Sequence, residues 1–182
     1  MAQRVIVLDA QARPVGVEEK QAAHTGCGVP HLAFSVVLFG TGNRVLLQQR
    51  ALGKYHFPGF WSNSCCSHPR PQEGLLKAAV RRVREELGVE IAEPSVRGAF
   101  WYQARDENSG LIEREYDVVL TGELSMPPRP NPSEVAAVCW RRREELRGGM
   151  PPTLAPVTPW LKRTLEVAFA DEPTGVSPYI TL

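Results

Sequence analysis

The chain has 182 residues, 43% of them hydrophobic and 23% charged, a length and balance that predict one folded domain with a core large enough to need no disulfide staples. Its 21 Lys+Arg against 20 Asp+Glu leave a formal charge of +1, which excludes nucleic-acid binding by a global basic field. No apolar run approaches the roughly 18 residues of a membrane span, and the opening MAQRVIVLDAQARP lacks the apolar stretch of a signal peptide. With no export signal, Cys27, Cys65, Cys66 and Cys139 are expected to be reduced thiols in a cytoplasmic protein.

In chain order, VIVLD (5–9) is a short predicted strand, and HLAFSVVLF (31–39) and RVLLQQR (44–50) flank GTGN as a hairpin. Residues 51–72 form a long irregular segment whose aromatics Tyr55, Phe57, Phe60 and Trp61 predict an ordered, functional loop. EGLLKAAVRRVREEL (73–87) is the clearest helix, with Leu76, Ala79, Val80, Val83 and Leu87 as its apolar stripe and Gly88 as its stop. RGAFWYQA (97–104) and EREYDVVLTGE (113–123) are strands around a DENSG turn, and VAAVCWRR (135–142) is another. TPWLKRTLEVAFA (158–170) closes the chain as a helix capped by Thr158, and 170–182 are expected to be a loose tail of a single domain spanning 1–182. Strands of this number around a central and a packing helix give an α+β fold or an α/β/α sandwich.

The helix carries Arg81–Glu85 and Arg82–Glu86 at i,i+4 spacing, which an ordinary solvated face also carries. His24, His31 and His68, with Glu113 and Glu115 on alternate positions of one strand and hence one face, offer a mixed nitrogen and oxygen ligand set for a divalent ion. Spacing alone does not bring these five together, and each alone suits a cap or a surface. Cys65 and Cys139 suit packing and Cys27 a surface thiol; Trp101 and Trp140 are expected to be packing residues.

From residue 67 the chain reads SHPRPQEGLLKAAVRRVREELGV, which resembles the Nudix box: Glu73, Arg81, Val83, Glu85, Glu86, Gly88 and Val89 match. Ser67 stands where the box has glycine, and would be strained if that position needs a positive φ. Arg82 stands where hydrolases of this superfamily have a metal-binding glutamate, which weakens a hydrolytic metal cluster while leaving a cation able to hold a diphosphate. AAHTGCGVPHLAFS, QQRALGKYHFPGFWSNSCCSHP, the altered helix and GLIEREYDVV, in that order from about residue 5 to residue 165, are together similar to the type 1 isopentenyl-diphosphate delta-isomerases.

That resemblance implies a Nudix-like fold with a mixed, mostly antiparallel sheet and flanking helices, and interconversion of isopentenyl and dimethylallyl diphosphate. It implies Cys66 and Glu115 as the catalytic pair, with Tyr102 and Trp160 around the hydrocarbon. His24, His31, His68, Glu113 and Glu115 match the ligands of a divalent ion, Mn2+ or another, and Glu86 a residue that holds Mg2+ with the substrate diphosphate. Lys20, Arg50, Lys54 and Arg82 match cations near that diphosphate. The implied partner is a small prenyl diphosphate, with no nucleic acid or membrane, and a monomer or homodimer. Cys66 as a base calls for a thiol pKa depressed by those cations. A Nudix hydrolase and a non-catalytic metal- or diphosphate-binding module are the competing readings.

Overall fold

The computed structural model describes residues 3–182; Met1 and Ala2 of the expected domain lie outside the described residues. Strand β1 (Arg4–Leu8) pairs antiparallel with β2 (Pro14–Glu19), and a single helical turn, α1 (Lys20–Ala23), follows. Glu19 caps that turn, its carboxylate accepting from the backbone N–H groups of Gln21 and Ala22. The sequence reading missed β2 because it is an exposed edge strand without apolar alternation.

Strand β3 (His31–Gly40) is the spine of the sheet. It is buried along nearly its whole length, as its unbroken apolar run requires. After the turn, β4 (Arg44–Arg50) runs back, but the expected hairpin pairs only at Phe39–Val45 and Gly40–Arg44. The strands then part: β5 (Trp61–Ser62) adds to β4, while β6 (Cys65–Ser67) adds to β3. The long segment 51–68 fills the opening between them. Helix α2 (Leu75–Leu87) comes next. Strands β7 (Ser95–Arg105) and β8 (Ile112–Glu123) form an antiparallel pair, with β8 parallel to β3, and β9 (Val135–Arg142) lies antiparallel to β4. The chain continues through α3 (Arg143–Arg147), a 3-10 turn (Pro152–Leu154) and α4 (Leu161–Ala168). None of the described helices is long and apolar enough to cross a membrane.

The two faces of this mixed sheet bury separate cores. Leu32, Phe34, Val36 and Leu38 of β3 pack with α2; Val37, with Val45, Leu47 and Val119, packs with α4. Four details differ from the sequence reading. The buried face of α2 comprises Leu75, Ala78, Ala79, Val83, Glu86 and Leu87, with Leu76 and Val80 only half-buried, because the helix is turned to bring Glu86 inward to polar partners. Thr158 does not cap α4; its hydroxyl donates to Ser62 Oγ (3.1 Å) and its N–H to the carbonyl of Trp61, so it ties the helix entry to β5. Ser67 lies in extended β6, outside the positive-φ residues, so it carries no strain. Residues 171–182 are not loose: Ile180 is buried in the α2 core, Ser177 N–H donates to Tyr116 Oη (3.0 Å), and Leu75 N–H donates to the Thr181 carbonyl (3.1 Å).

Gly88 ends α2 at φ +64°, and a Cβ there would lie 2.5 Å from the Arg129 carbonyl oxygen. Gly88→Ala therefore meets both left-handed strain and a backbone clash. A loss of about 1–3 kcal/mol is expected, seen in calorimetry as a fall in Tm of roughly 2–12 °C. Just before α2, Glu73 accepts from Arg81 Nε (2.6 Å) and Nη2 (2.7 Å), and this pairing holds its carboxyl below the usual range. Its contribution to stability is present above the ordinary carboxylate pKa and is lost as pH falls through the depressed folded-state value. Glu73→Gln should lower Tm near neutral pH by a margin that closes in strong acid.

Candidate active site

Alternation along β8 puts Glu113 and Glu115 on one face of the sheet, and the β3–β8 register sets His31 directly beside Glu115. His24 ends α1, anchored where its carbonyl accepts from Ile112 N–H (2.8 Å), and His68 follows β6. The structure brings these five together: one donor atom from each lies within 4.8 Å of all the others. His24 Nε2 is 2.8 Å from Glu113 Oε2, and Glu115 Oε1 is 2.7 Å from His68 Nε2 and 3.3 Å from His31 Nε2.

The tautomers of two of these rings follow from the backbone. His24 Nδ1–H donates to the Lys20 carbonyl (2.6 Å) and His31 Nδ1–H to that of Val29 (2.7 Å), so both rings aim Nε2 inward. His31 Nε2 and His68 Nε2 then face each other at 3.1 Å. Inward nitrogens and two carboxylates packed this closely, away from water, repel unless a proton or a cation lies among them. The donor set is that of a divalent-metal centre. Burial drives His68 down to about 3; burial also acts to lower His24, but its bond to Glu113 carries it above the ordinary histidine value. Burial opposes ionisation of Glu113, yet the bonds from His24 and His56 hold it well below the usual carboxylate range.

The other side of the pocket centres on Cys66. On β6 the two adjacent thiols point to opposite faces, Cys65 into the α2 core and Cys66 toward α4. All four cysteines are free: Cys27 is exposed as expected, and Cys139 is half-buried against the α4 core. The Cys66 thiol donates to Asn63 Oδ1 (2.9 Å), and Trp160 Nε1–H donates to its sulfur (3.3 Å). Asn63 is fixed in turn by donating to the carbonyls of Val36 (3.1 Å) and Cys65 (2.9 Å). Tyr102 stacks at a tilt on Trp160, 5.7 Å between centroids, and its hydroxyl donates to Glu115 Oε2. Trp101, expected to pack, is instead 41% exposed, because it lies on the outward side of edge strand β7. The expected depression of the thiol pKa is also absent: burial pushes Cys66 up to about 11, outweighing the Ser62 hydrogen bond and the Arg50 charge that act to lower it.

Lys20, Arg50, Lys54 and Arg82 all line this pocket. Arg50 is committed to the loop, donating to the carbonyls of Phe57 (3.1 Å) and His56 (3.0 Å). Lys54 pairs with Glu134, and Arg82 with Glu85 (2.7 Å), Glu86 and Glu134 (3.3 Å). Among the described residues the Lys20 ammonium has one hydrogen-bond partner, Gln3 Oε1 at 3.4 Å, and lies 5.8 Å from the Tyr55 ring centre; burial brings its pKa down to about 8. Glu86 stands apart from the five-donor cluster, its oxygens taken by Arg82 and by Gln48 Nε2 (3.1 Å).

Three buried or half-buried groups here were missed from sequence: His56, Glu134 and Asp117. Asp117 continues the Glu113, Glu115 alternation, which is the signal that identifies it; it accepts from Ser35 Oγ (2.7 Å), and burial keeps its carboxyl well above the usual range. Nothing in the spacing of the other two connects them to the site.

A NUDIX domain family model matches residues 29–161. An isopentenyl-diphosphate Delta-isomerase of Nocardia farcinica is 46% identical over 166 residues, covering 91% of this chain and 94% of that protein. The chain belongs to the isopentenyl-diphosphate Delta-isomerase family. The Halorhodospira halophila member is 42% identical over 175 residues, covering 95% of this chain and 99% of its own. Among solved structures, Deinococcus radiodurans DR0079 superposes with a TM-score of 0.69 at 16% identity, covering 92% of this chain and 100% of its own, and a MutT protein of Methanosarcina mazei with 0.62 at 16%, covering 75% and 91%. These distant likenesses carry the fold alone. In this isomerase-family chain the carboxylates on and just before α2 are occupied by arginines: Glu73 by Arg81, Glu85 by Arg81 and Arg82, Glu86 by Arg82.

If the five-donor cluster holds a divalent ion, Mn2+ at a hundredfold excess over its Kd stabilises the fold by about 2.7 kcal/mol. A calorimetric scan should show a Mn2+-dependent rise in Tm that His31→Ala removes; equal rises in both proteins would contradict a metal role for His31.

Proposed function

We propose that this chain interconverts isopentenyl and dimethylallyl diphosphate, with Glu115 and Cys66 as the two proton-transfer groups. The observation that carries this reading is that both side chains line one pocket together with Trp160 and Tyr102. A hydrolase needs free carboxylates on the Nudix helix, and here arginines hold them.

An unactivated alkene is a poor base, so its protonation requires a positioned acid and exclusion of water. In the direction toward dimethylallyl diphosphate, Glu115, whose carboxyl is held below the usual range against its burial by the bonds from His31 and His68, first takes up a proton and then adds it to the terminal carbon. The electron density of the double bond forms the new C–H bond and leaves a tertiary carbocation. The indole face of Trp160 stabilises that charge. Cys66 removes a proton from the carbon on the other side, the C–H pair becomes the new double bond, and the reverse reaction exchanges the two roles. Burial raises Cys66 to about 11, so the thiol must give up its proton before it can act as the base; Trp160 Nε1–H and the Ser62 hydroxyl, 3.3 and 3.5 Å from the sulfur, are the groups that solvate the thiolate. Tyr102 orients the Glu115 oxygen that faces this side. Lys20, Lys54 and Arg82 hold the diphosphate, which anchors the substrate and takes no part in the bond changes. His24, His31, His68, Glu113 and Glu115 would hold a divalent ion, Mn2+ or another, whose charge would tune the acidity of Glu115; Glu86 would hold Mg2+ arriving with the diphosphate by giving up its bonds to Arg82 and Gln48.

The reaction is tested by NMR with isopentenyl diphosphate, Mg2+ and Mn2+ in deuterated water. Dimethylallyl diphosphate carrying deuterium in a methyl group is expected; release of phosphate with the double bond unmoved would instead support the hydrolase. Cys66→Ala and Glu115→Gln should each lower turnover by about 10²–10⁴-fold or more while the far-UV circular dichroism stays that of the folded protein. Full activity in either variant would remove that residue from the mechanism.

A further inference from the structure

The two glutamates of β8 are held differently. Glu115 Oε1 is shared by His31 and His68, while its Oε2 meets the Tyr102 hydroxyl on the hydrocarbon side of the pocket. Glu113 has Oε2 against His24 Nε2 at 2.8 Å, and its other oxygen, Oε1, against Nε2 of a fourth histidine, His56. His56 is 7% exposed and does not belong to the five-donor cluster. It comes from the segment that fills the opening between β4 and β6 and is itself pinned. Arg50 Nη2 donates to its carbonyl (3.0 Å), and the Tyr55 ring lies on the imidazole with centroids 4.4 Å apart.

Its hydrogen bonding is one-sided. Among the described residues Nδ1 is buried and has no partner, while Nε2 meets Glu113 Oε1 and, more distantly, Arg50 Nη2 at 3.4 Å. A carboxylate only accepts, and its contact is the closer of the two, so Nε2 turns its proton to Glu113 and Nδ1 is bare. A buried imidazole that leaves one nitrogen unsatisfied in order to donate from the other is a costly arrangement, and it needs a return.

We propose that His56 is the positioning residue for Glu113: by occupying Oε1 it fixes the carboxylate so that only Oε2 serves the histidine cluster, and it leaves Glu115 as the glutamate with an oxygen turned toward the hydrocarbon. The proposal rests on the reading of that cluster as a divalent-metal site. Partners of this kind orient a ligand and typically change metal affinity 10–100-fold when removed.

The test measures Mn2+ affinity by isothermal titration calorimetry on wild type, His56→Leu, His56→Gln and His56→Asn, alongside isomerase kinetics. His56→Leu should weaken Mn2+ binding by about 10–100-fold and lower kcat, with KM for isopentenyl diphosphate unchanged because the diphosphate cations are untouched. The Gln amide reaches the place of Nε2 and should restore affinity to within about threefold of wild type; the shorter Asn amide should not. Wild-type affinity in His56→Leu overturns the proposal. So does equal affinity in the Gln and Asn variants, a comparison that stands even if His56→Leu does not fold. A wild type that isomerises its substrate yet binds no Mn2+ overturns the proposal while leaving the activity intact; metal binding without isomerisation strikes the functional reading and spares His56.

Discussion

In the β3–β8 pair His31 lies opposite Glu115, and from that register much of the site follows. Side chains alternate across a sheet, so a slip of one residue would send Glu113, Glu115 and Asp117 into the α2 core and bring Tyr116 and Val118 to the pocket. The slip is forbidden by the apolar residues that share these strands. Phe34, Val36, Val118 and Leu120 are fully buried on the α2 side, and exposing them to a polar cluster would cost far more than any single ligand contact gains. The same burial that drives folding thus sets the spacing of the donor atoms.

The separation of β3 from β4 is the second constraint. An ordinary hairpin would close the space in which Cys66, His56 and the cations meet. Here each strand takes a different short partner, and the segment between them carries Lys54, His56, Cys66 and His68 into one pocket with Arg50 from the end of β4. The opening is held by polar ties rather than by apolar contact: Asn63 to Val36 and Cys65, Ser64 Oγ to the Leu46 carbonyl (2.7 Å), Arg50 to residues 56 and 57. Buried polar groups satisfied in this way specify one geometry where apolar packing alone would tolerate several.

Much of this was legible in the sequence, for physical reasons that also explain the failures. The unbroken apolar run of β3 and the helical period of 73–87 report burial directly, so both elements were found. β2 and α3 are exposed or short and leave no such trace. The face of α2 was misread because Glu86, a charged residue, takes a core position that periodicity gives only to apolar ones. Thr158 looked like a cap because local chemistry allows it, but a tertiary bond to Ser62 claims its hydroxyl. The paired glutamates and the three histidines were visible as residue types and became a cluster only through the resemblance. His56 and Glu134 carry no periodic signal, since loop and strand-edge positions are set by contacts across long sequence separations. The Cys66 thiol was expected to be acidic from its cationic neighbours; its depth in the pocket, which no pattern encodes, has the larger effect.

The final residues close a circuit in the fold. The Thr181 carbonyl receives the first free N–H of α2, from Leu75, while Ile180 sits in the core that the same helix covers. About two and three turns further along, α2 carries Arg82 and Glu86. Opening of the C-terminal segment therefore also frays the start of the helix, so the two belong to one cooperative unit for local unfolding. Amide protons at Leu75 and Ile180 would exchange with solvent at matched rates, so the end of the chain serves as the N-terminal clamp of the helix that bears the pocket-edge guanidinium and carboxylate.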